Sequence, residues 1–460
     1  MRRRKKPSKK PEGLRWMLTY SDLITLLMIF FIVMYSMSQV DQNKYKQLSE
    51  SLSVAMGGGK TIIGQDNKPS NKDDVNKIDS LNSAQEEKKL AELKSQVDKY
   101  LKENPITSVK NQASTSTCWS FSGVSFLESE LLRKGKGTFD LSEMYIVRRN
   151  YEDKAEKYVR THGHLNFAPG GSFADVIETL DEYGIVPDDA YTGLIDRAER
   201  HDHGEMDKVL SSYMKGIIGN NTVSTVWNKG FCGILDAYLK EKPASFTYNG
   251  KTYTPQSFKD FLGLDRNDYI SITSFTHHPF YASFPLEVPD NWRWANSYNL
   301  PVDEMMAAID NAIMKGYTVA WASDVSEGGF SRQGIAIVPD ENAAENAGTD
   351  QTKWLGLPER ERRSTIAGKV GSEVLKEKNI TQEMRQLAYD NYQTTDDHGM
   401  HIYGIANDQN GTKYYLVKNS WGKTGPYDGV WYASEAFVRY KTLSIVIHKD
   451  ALPKETAKKI

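Results

Sequence analysis

Cys118 lies where a thiol can become a nucleophile, at the first turn of the helix that begins in Asn111-Gln112-Ala113-Ser114-Thr115-Ser116-Thr117-Cys118-Trp119-Ser120-Phe121. Phe121, Val124, Leu127, Leu131 and Leu132 recur at helical spacing, and Gly135 and Gly137 supply the stop. Cys118 is expected to cap this helix, its sulfur among unpaired backbone N–H groups at the positive end of the helix dipole, which favours thiolate. A buried structural cysteine would satisfy the same segment, so the base must come from elsewhere in the chain.

Two downstream runs supply it. His398-Gly-Met-His-Ile-Tyr-Gly-Ile-Ala406 and Lys413-Tyr-Tyr-Leu-Val-Lys-Asn419-Ser-Trp-Gly422 read as strands, and the turn cluster Asn407 to Gly411 between them contains an Asn-Gly pair. A hairpin folded about 408–409 sets His398 almost opposite Asn419, an imidazole beside a carboxamide that can orient it. Cysteine, histidine and amide then form a nucleophile, a base and an orienting group. His401 falls on the opposite strand face and is the weaker base.

With these residues the chain resembles the papain-like cysteine peptidases, and within them the bleomycin hydrolase (aminopeptidase C) branch. The resemblance runs from Pro105 to the C-terminus. It includes Pro105-Ile-Thr-Ser-Val-Lys-Asn-Gln112, Leu141-Ser142-Glu143, Gly170-Gly171, Tyr183-Gly184-Ile185-Val186-Pro187 and Asn419-Ser420-Trp421-Gly422. It implies Cys118 as nucleophile, His398 as general base and acid, Asn419 as orienter, and Gln112 with the Cys118 N–H as oxyanion donors. It also implies a C-terminal tail, here from His448 to Ile460, that lies in the cleft and directs attack to chain ends. One position departs from the family: Ser116 stands where glycine is usual, at a cost if the backbone needs φ above zero or close substrate approach.

The N-terminus carries a different chemistry. Arg2, Arg3, Arg4, Lys5, Lys6, Lys9 and Lys10 precede an apolar run from Trp16 to Val40 whose only charge is Asp22. That length fits a transmembrane helix, and the basic flank predicts the N-terminus inside and the remainder outside the cytoplasmic membrane. A secretory signal is the alternative, but no small-x-small cleavage pattern follows at the right distance. A carboxylate inside a span is costly and marks an ion path. The sequence Arg15 to Leu27, with Met37 to Leu48, resembles the MotB-type B subunits of the flagellar stator, which implies that Asp22 carries the ion and that a MotA-like partner and a dimer through the transmembrane helix exist.

The expected organisation is a basic tail (1–13), a transmembrane helix (14–40), a plug-like amphipathic segment (41–60), a polar linker with a short helix carrying Leu90, Leu93, Val97 and Leu101 (61–104), and a papain-like domain (105–460). The fold class is α+β. A net charge of −2 gives no basis for nucleic-acid binding, and with two cysteines the fold does not rest on a disulfide framework. A Cys118–Cys232 bridge would silence the nucleophile and is not expected. His201-Asp202-His203-Gly204-Glu205 and His277-His278 read as solvated loop, so neither metal nor cofactor is expected. The leading function is hydrolysis of peptide substrates by a membrane-anchored, aminopeptidase-like enzyme. Its rivals are a stator subunit whose peptidoglycan-binding domain is replaced by a peptidase-like one, possibly a chimera by its abrupt junction, and a silent binding module, which Ser116 would suit.

Overall fold

A computed structural model describes residues 101–460 apart from 196–197, 344–345, 347–356 and 372. All of these belong to the second of two units into which the chain divides, Glu86–Ile460. The expected tail, membrane helix, Asp22, plug and most of the linker therefore lie outside the described residues. Among the described residues no helix is long and apolar enough to cross a membrane.

One half is helical: α1 (Cys118–Arg133), α2 (Glu143–Arg160), α3 (Phe173–Tyr183), α4 (Gly204–Ile218), α5 (Val226–Leu239) and α6 (Pro255–Leu262). Helix α1 runs through its centre and is buried on every side from Trp119 to Leu131. Its sequence explains how: Val124, Phe126, Leu127 and Leu131 pack into the helical core, while serines are small enough to sit against backbone. Each of three serines finds a partner, Ser120 Oγ donating to Glu143 O at 2.9 Å, Ser122 Oγ to Gly399 O at 2.7 Å, and Ser125 Oγ meeting His401 Nδ1 at 2.9 Å. Burial of these three hydroxyls is tolerated because they are hydrogen-bonded, whereas Ser129 Oγ on the same helix is buried without a partner.

The other half is a sheet. In chain order its strands, with a separate hairpin β2–β3, are β1 (Leu101–Glu103), β2 (Phe246–Tyr248), β3 (Lys251–Tyr253), β4 (Tyr269–Thr273), β5 (Ser283–Pro285), β6 (Asn296–Asn299), β7 (Val319–Ser323), β8 (Phe330–Ser331), β9 (Ile335–Ala336), β10 (His398–Asn407), β11 (Lys413–Lys418), β12 (Val430–Ser434) and β13 (Thr442–His448). The order is β5-β6-β4-β13-β7-β10-β11-β12-β9-β8, with β1 added to β10. Helices α7 (Val302–Met314), α8 (Glu359–Ala367), α9 (Gln382–Asp390), α10 (Glu435–Lys441) and α11 (Lys454–Ala457) complete this half. Strand β10 is buried from His398 to Gly404. Its two faces pack on α1 and on the cluster that includes α7, so it shows no simple alternation of polar and apolar residues.

Three local expectations are corrected. The hairpin closes through 408–412, where Asp408 Oδ1 accepts from the Asn410 and Thr412 N–H groups at 2.8 Å, so Lys413 pairs with Asn407 and Lys418 with His401. His398 is thus diagonal to Asn419 rather than opposite it. Leu101 is in β1, paired with Ala406, not on a helix stripe. The domain boundary at 105 is consequently too late. Asn104 is buried and its amide donates to Ile313 O at 2.9 Å and Tyr317 O at 2.6 Å, satisfying carbonyls at the C-terminal end of α7.

Asn104→Ala removes two hydrogen bonds, leaving Ile313 O with the Gly316 N–H at 3.1 Å as its partner, and should destabilise this unit by about 1–3 kcal/mol. Urea unfolding followed by tryptophan fluorescence reads the change. An unaltered midpoint would return Asn104 to the linker.

Candidate active site

Thr117 is the N-cap of α1 and Cys118 the first helical residue, so the sulfur enters one position later than expected. It is half-buried and free of any disulfide. Cys118 lies in a cleft of about 340 Å³, walled by Trp119 and residues 168–174 on the helical side and by Leu286, Val288, Ala322, His398 and Leu443 on the sheet side. Backbone N–H groups of Gly399 and Trp119 stabilise a negative sulfur, yet desolvation outweighs them and, with Asp396 and Asp290 adding repulsion, pushes the thiol up to about 12. The expected depressed thiol is therefore not what the isolated group has.

His398 opens β10 and is buried at 6% exposure. Its Nε2 lies 2.8 Å from Asn419 Oδ1. That oxygen also accepts from the Ser420 N–H at 2.7 Å, which identifies it as the carbonyl end of the amide. Nε2 must then be the donor, and Nδ1 keeps its lone pair. Trp421 stacks on the imidazole with ring centres 4.7 Å apart. Burial lowers the His398 pKa to about 4, the Asn419 bond opposing it. Gln112 is fixed by its own N–H to Ser420 O at 2.8 Å and by Ser420 Oγ donating to its Oε1 at 2.6 Å. Its carboxamide NH₂ is left for the cleft, which Gln112 helps to line.

What brings helix and strand together is Gly399. A Cβ there would lie 3.2 Å from Trp119 Cα and from Phe173 Cζ. Gly171 serves the opposite wall, where a Cβ would meet the Trp119 ring at 2.8 Å. Beneath the site, Glu128 accepts from Thr107 Oγ1 at 2.5 Å and from the Leu141 N–H at 2.9 Å, Lys110 bridges Glu128 and Glu143, and Lys418 donates to Thr107 at 3.0 Å. This network ties the segment before α1 to the end of β11, and it explains Glu143 in the motif Leu141-Ser142-Glu143.

The structure thus brings Cys118, His398, Asn419 and Gln112 together. His401 is fully buried against Ser125, away from the cleft. His203 is buried rather than solvated, and neither ring nitrogen has a partner. The C-terminal tail does not enter the cleft: Thr456 Oγ1 and Lys459 Nζ both bind Glu304 on α7, and no residue beyond Val446 lines the cavity. Sequence reasoning missed Asp290, Asp396 and Asp397, three carboxylates that line the cleft with Cys118. The Asp396 signal was its proximity to His398, but nothing local announces Asp290. Ser116 has φ +55°, the left-handed region that glycine enters freely.

Comparison with known proteins finds two families in the chain. A model described as the papain family cysteine protease matches residues 93–218, and one described as a peptidase C1-like family matches 372–460. Aminopeptidase G of Lactobacillus delbrueckii subsp. lactis is 22% identical over 77% of this chain and 83% of its own. Aminopeptidase C of Streptococcus thermophilus is 21% identical over 75% and 81%. The crystal structure of PepW from Lactobacillus rhamnosis superposes with a TM-score of 0.60 at 18% identity, covering 78% of this chain and 84% of that one. The described unit is a papain-like cysteine peptidase, similar to aminopeptidase C. The N-terminus resembles another family: residues 1–56 match a model described as membrane MotB of the proton-channel complex MotA/MotB. Motility protein B of Bacillus subtilis is 27% identical over 23% of this chain, and the chain spans about half of its length, 47%.

Since a side chain in the left-handed region costs about 1–2 kcal/mol, part of which glycine forfeits in the unfolded state, Ser116→Gly should stabilise the fold by about 0.5–1 kcal/mol. The urea midpoint measures it, and a decrease would mean that the serine side chain holds the turn.

Proposed function

We propose that this chain is a membrane-anchored peptidase that cleaves peptide bonds through an acyl-enzyme on Cys118. The observation that carries the reading is the fixed tautomer of His398, whose free Nδ1 is the acceptor left for the cleft that Cys118 shares. Burial favours the neutral thiol and the neutral imidazole separately, so the nucleophile forms as the thiol proton passes to Nδ1 and the two charges stabilise each other. Sulfur attacks the scissile carbonyl. The oxyanion is held by the Gln112 amide and the Cys118 N–H, and the imidazolium returns its proton to the leaving amine. Water, deprotonated by the same Nδ1, then releases the acid from the thioester. Asn419 keeps the ring in place throughout.

Aminopeptidase preference is part of this proposal, on the likeness to aminopeptidases C and G. The tail is not available to recognise a free N-terminus, but Asp290 and Asp396 are. Burial, with Asp290 and Asp397 nearby, raises Asp396 to about 8, a carboxylate that an ammonium group would draw into its ionised form.

The test is a peptidyl electrophile. It should label the full chain and Cys232→Ser but not Cys118→Ala, and His398→Ala should lower kcat/KM by about 10²–10⁴-fold, with Asn419→Ala costing less. Labelling that follows Cys232 would sink the assignment.

The match of residues 1–56 to MotB favours a second reading for that part of the chain, a B-type stator subunit with Asp22 as the ion carrier, a homodimer by its membrane helix and a MotA-like partner. The N-terminus would be cytoplasmic and the peptidase outside. Asp22→Asn should abolish ion flux in cells supplying that partner and leave peptide hydrolysis intact; persistent flux would refute the role of Asp22.

A further inference from the structure

We propose that His277, His278 and Glu287 form a binding site for a divalent transition cation of the zinc class, on the outer side of one cleft wall. Read as sequence, His277-His278 looked like solvated loop. In the fold, the segment after β4 turns back so that β5 delivers Glu287 to both rings. His277 Nε2 lies 3.1 Å from Glu287 Oε2 and His278 Nε2 lies 2.8 Å from Oε1, and all three ligand atoms fall within 4.8 Å of one another. Tetrahedral bonds of about 2.0–2.1 Å space ligand atoms about 3.3 Å apart, so the two histidine–carboxylate pairs are within about half an ångström of that spacing and the widest pair must close by up to about 1.5 Å, a movement that rotation of these partly exposed side chains supplies. Two imidazoles and one carboxylate are a zinc-type donor set that leaves the fourth position open.

The rings are held for this. His278 stacks on Phe284 with centres 4.0 Å apart and His277 lies parallel to Tyr389 at 5.4 Å. Behind His277, Gln386 Oε1 accepts from the Thr276 N–H at 2.6 Å and lies 3.4 Å from His277 Nδ1. A metal on Nε2 requires the proton on Nδ1, so binding would exchange the contact from Gln386 Nε2, which faces Nδ1 at 3.1 Å, for a hydrogen bond from Nδ1–H to Gln386 Oε1 at 3.4 Å, a small turn of the ring. The three ligands are partly open to solvent, with side-chain exposures of 28%, 36% and 56%, so a cation can enter. Glu287 sits between Leu286 and Val288, both of which line the cleft. A cation here would clip the cleft wall to the end of β4, without touching Cys118.

The full chain, in metal-free detergent buffer, is titrated with Co²⁺ and with Zn²⁺. Expected is one equivalent of Co²⁺ with the visible bands of a nitrogen and oxygen ligand set and no thiolate charge-transfer band, and a rise in the unfolding midpoint with Zn²⁺ concentration. His278→Ala and the isosteric Glu287→Gln should each abolish both effects, and Gln386→Leu should weaken binding about 10–100-fold. Absence of uptake, uptake unchanged in Glu287→Gln, or a thiolate band showing that the ion sits on Cys118 would each overturn the site.

Discussion

The structure depends on one close contact between a helix and a strand. Gly399 lets the start of β10 lie against the Trp119 backbone, and Ser122 Oγ locks the approach by donating to Gly399 O at 2.7 Å. Cys118 precedes Trp119 and His398 precedes Gly399, so the separation of the proposed nucleophile and base is set by neighbouring residues outside the proposed chemistry. A side chain at 399 would force the two elements apart by a few tenths of an ångström, and reaction rates are sensitive to displacements on that scale. The buried serines of α1 belong to the same design: larger residues would hold the helix away from the sheet, and apolar ones would leave the Gly399 carbonyl without a partner.

Electrostatics at the site follow from burial more than from the helix. A helix N-terminus is worth about 0.3–1 kcal/mol to a negative group, less than one pKa unit, whereas full desolvation moves a group by as much as 3–5 units. That inequality explains why Cys118, with two backbone N–H groups beside it, still has its thiol pushed up to about 12. In the proposed mechanism this assigns work to the partner, since the thiolate would form as half of an ion pair with His398. Below the cleft the opposite solution is used. Lys110 is surrounded by Glu128, Glu143 and Asp140, and its ammonium is held charged despite its burial because every proton has an acceptor.

The residues that were legible in the sequence are those whose roles are local. Cys118 follows from helix periodicity and its stop signals, and the pairing of His398 with Asn419 from a hairpin with an Asn-Gly turn. The register was misread because Asp408 folds its side chain into the turn and moves the centre toward Asn410, a choice that turn composition alone does not specify. Diagonal neighbours of a strand pair remain within reach, so the amide still meets the imidazole. Long-range choices were hidden. Leu101 fits a helical stripe with Leu90, Leu93 and Val97, but its partner is Ala406, and a ladder to a distant strand overrides local periodicity. The C-terminal tail and Glu287 are the same kind of case, since the positions of Glu304 and of the two histidines are set only by the assembled sheet.

Division of labour between rigid and irregular segments gives the cleft its logic. The groups of the proposed site are at element ends, the first residue of α1, the first of β10 and the residue just after β11, where backbone hydrogen bonding fixes their directions. The walls that would contact substrate come instead from residues 168–174 and 286–297, which are mostly loop. Asp290 is presented from such a loop against Gly170, where a Cβ would fall 2.0 Å from its Oδ2. A carboxylate introduced on a loop can alter which substrates are held without disturbing the helix-strand contact that sets the chemistry. The acidic character of this cleft is therefore separable from its nucleophile, and so is the histidine pair behind Leu286 and Val288, which acts on the wall and not on the reacting atoms.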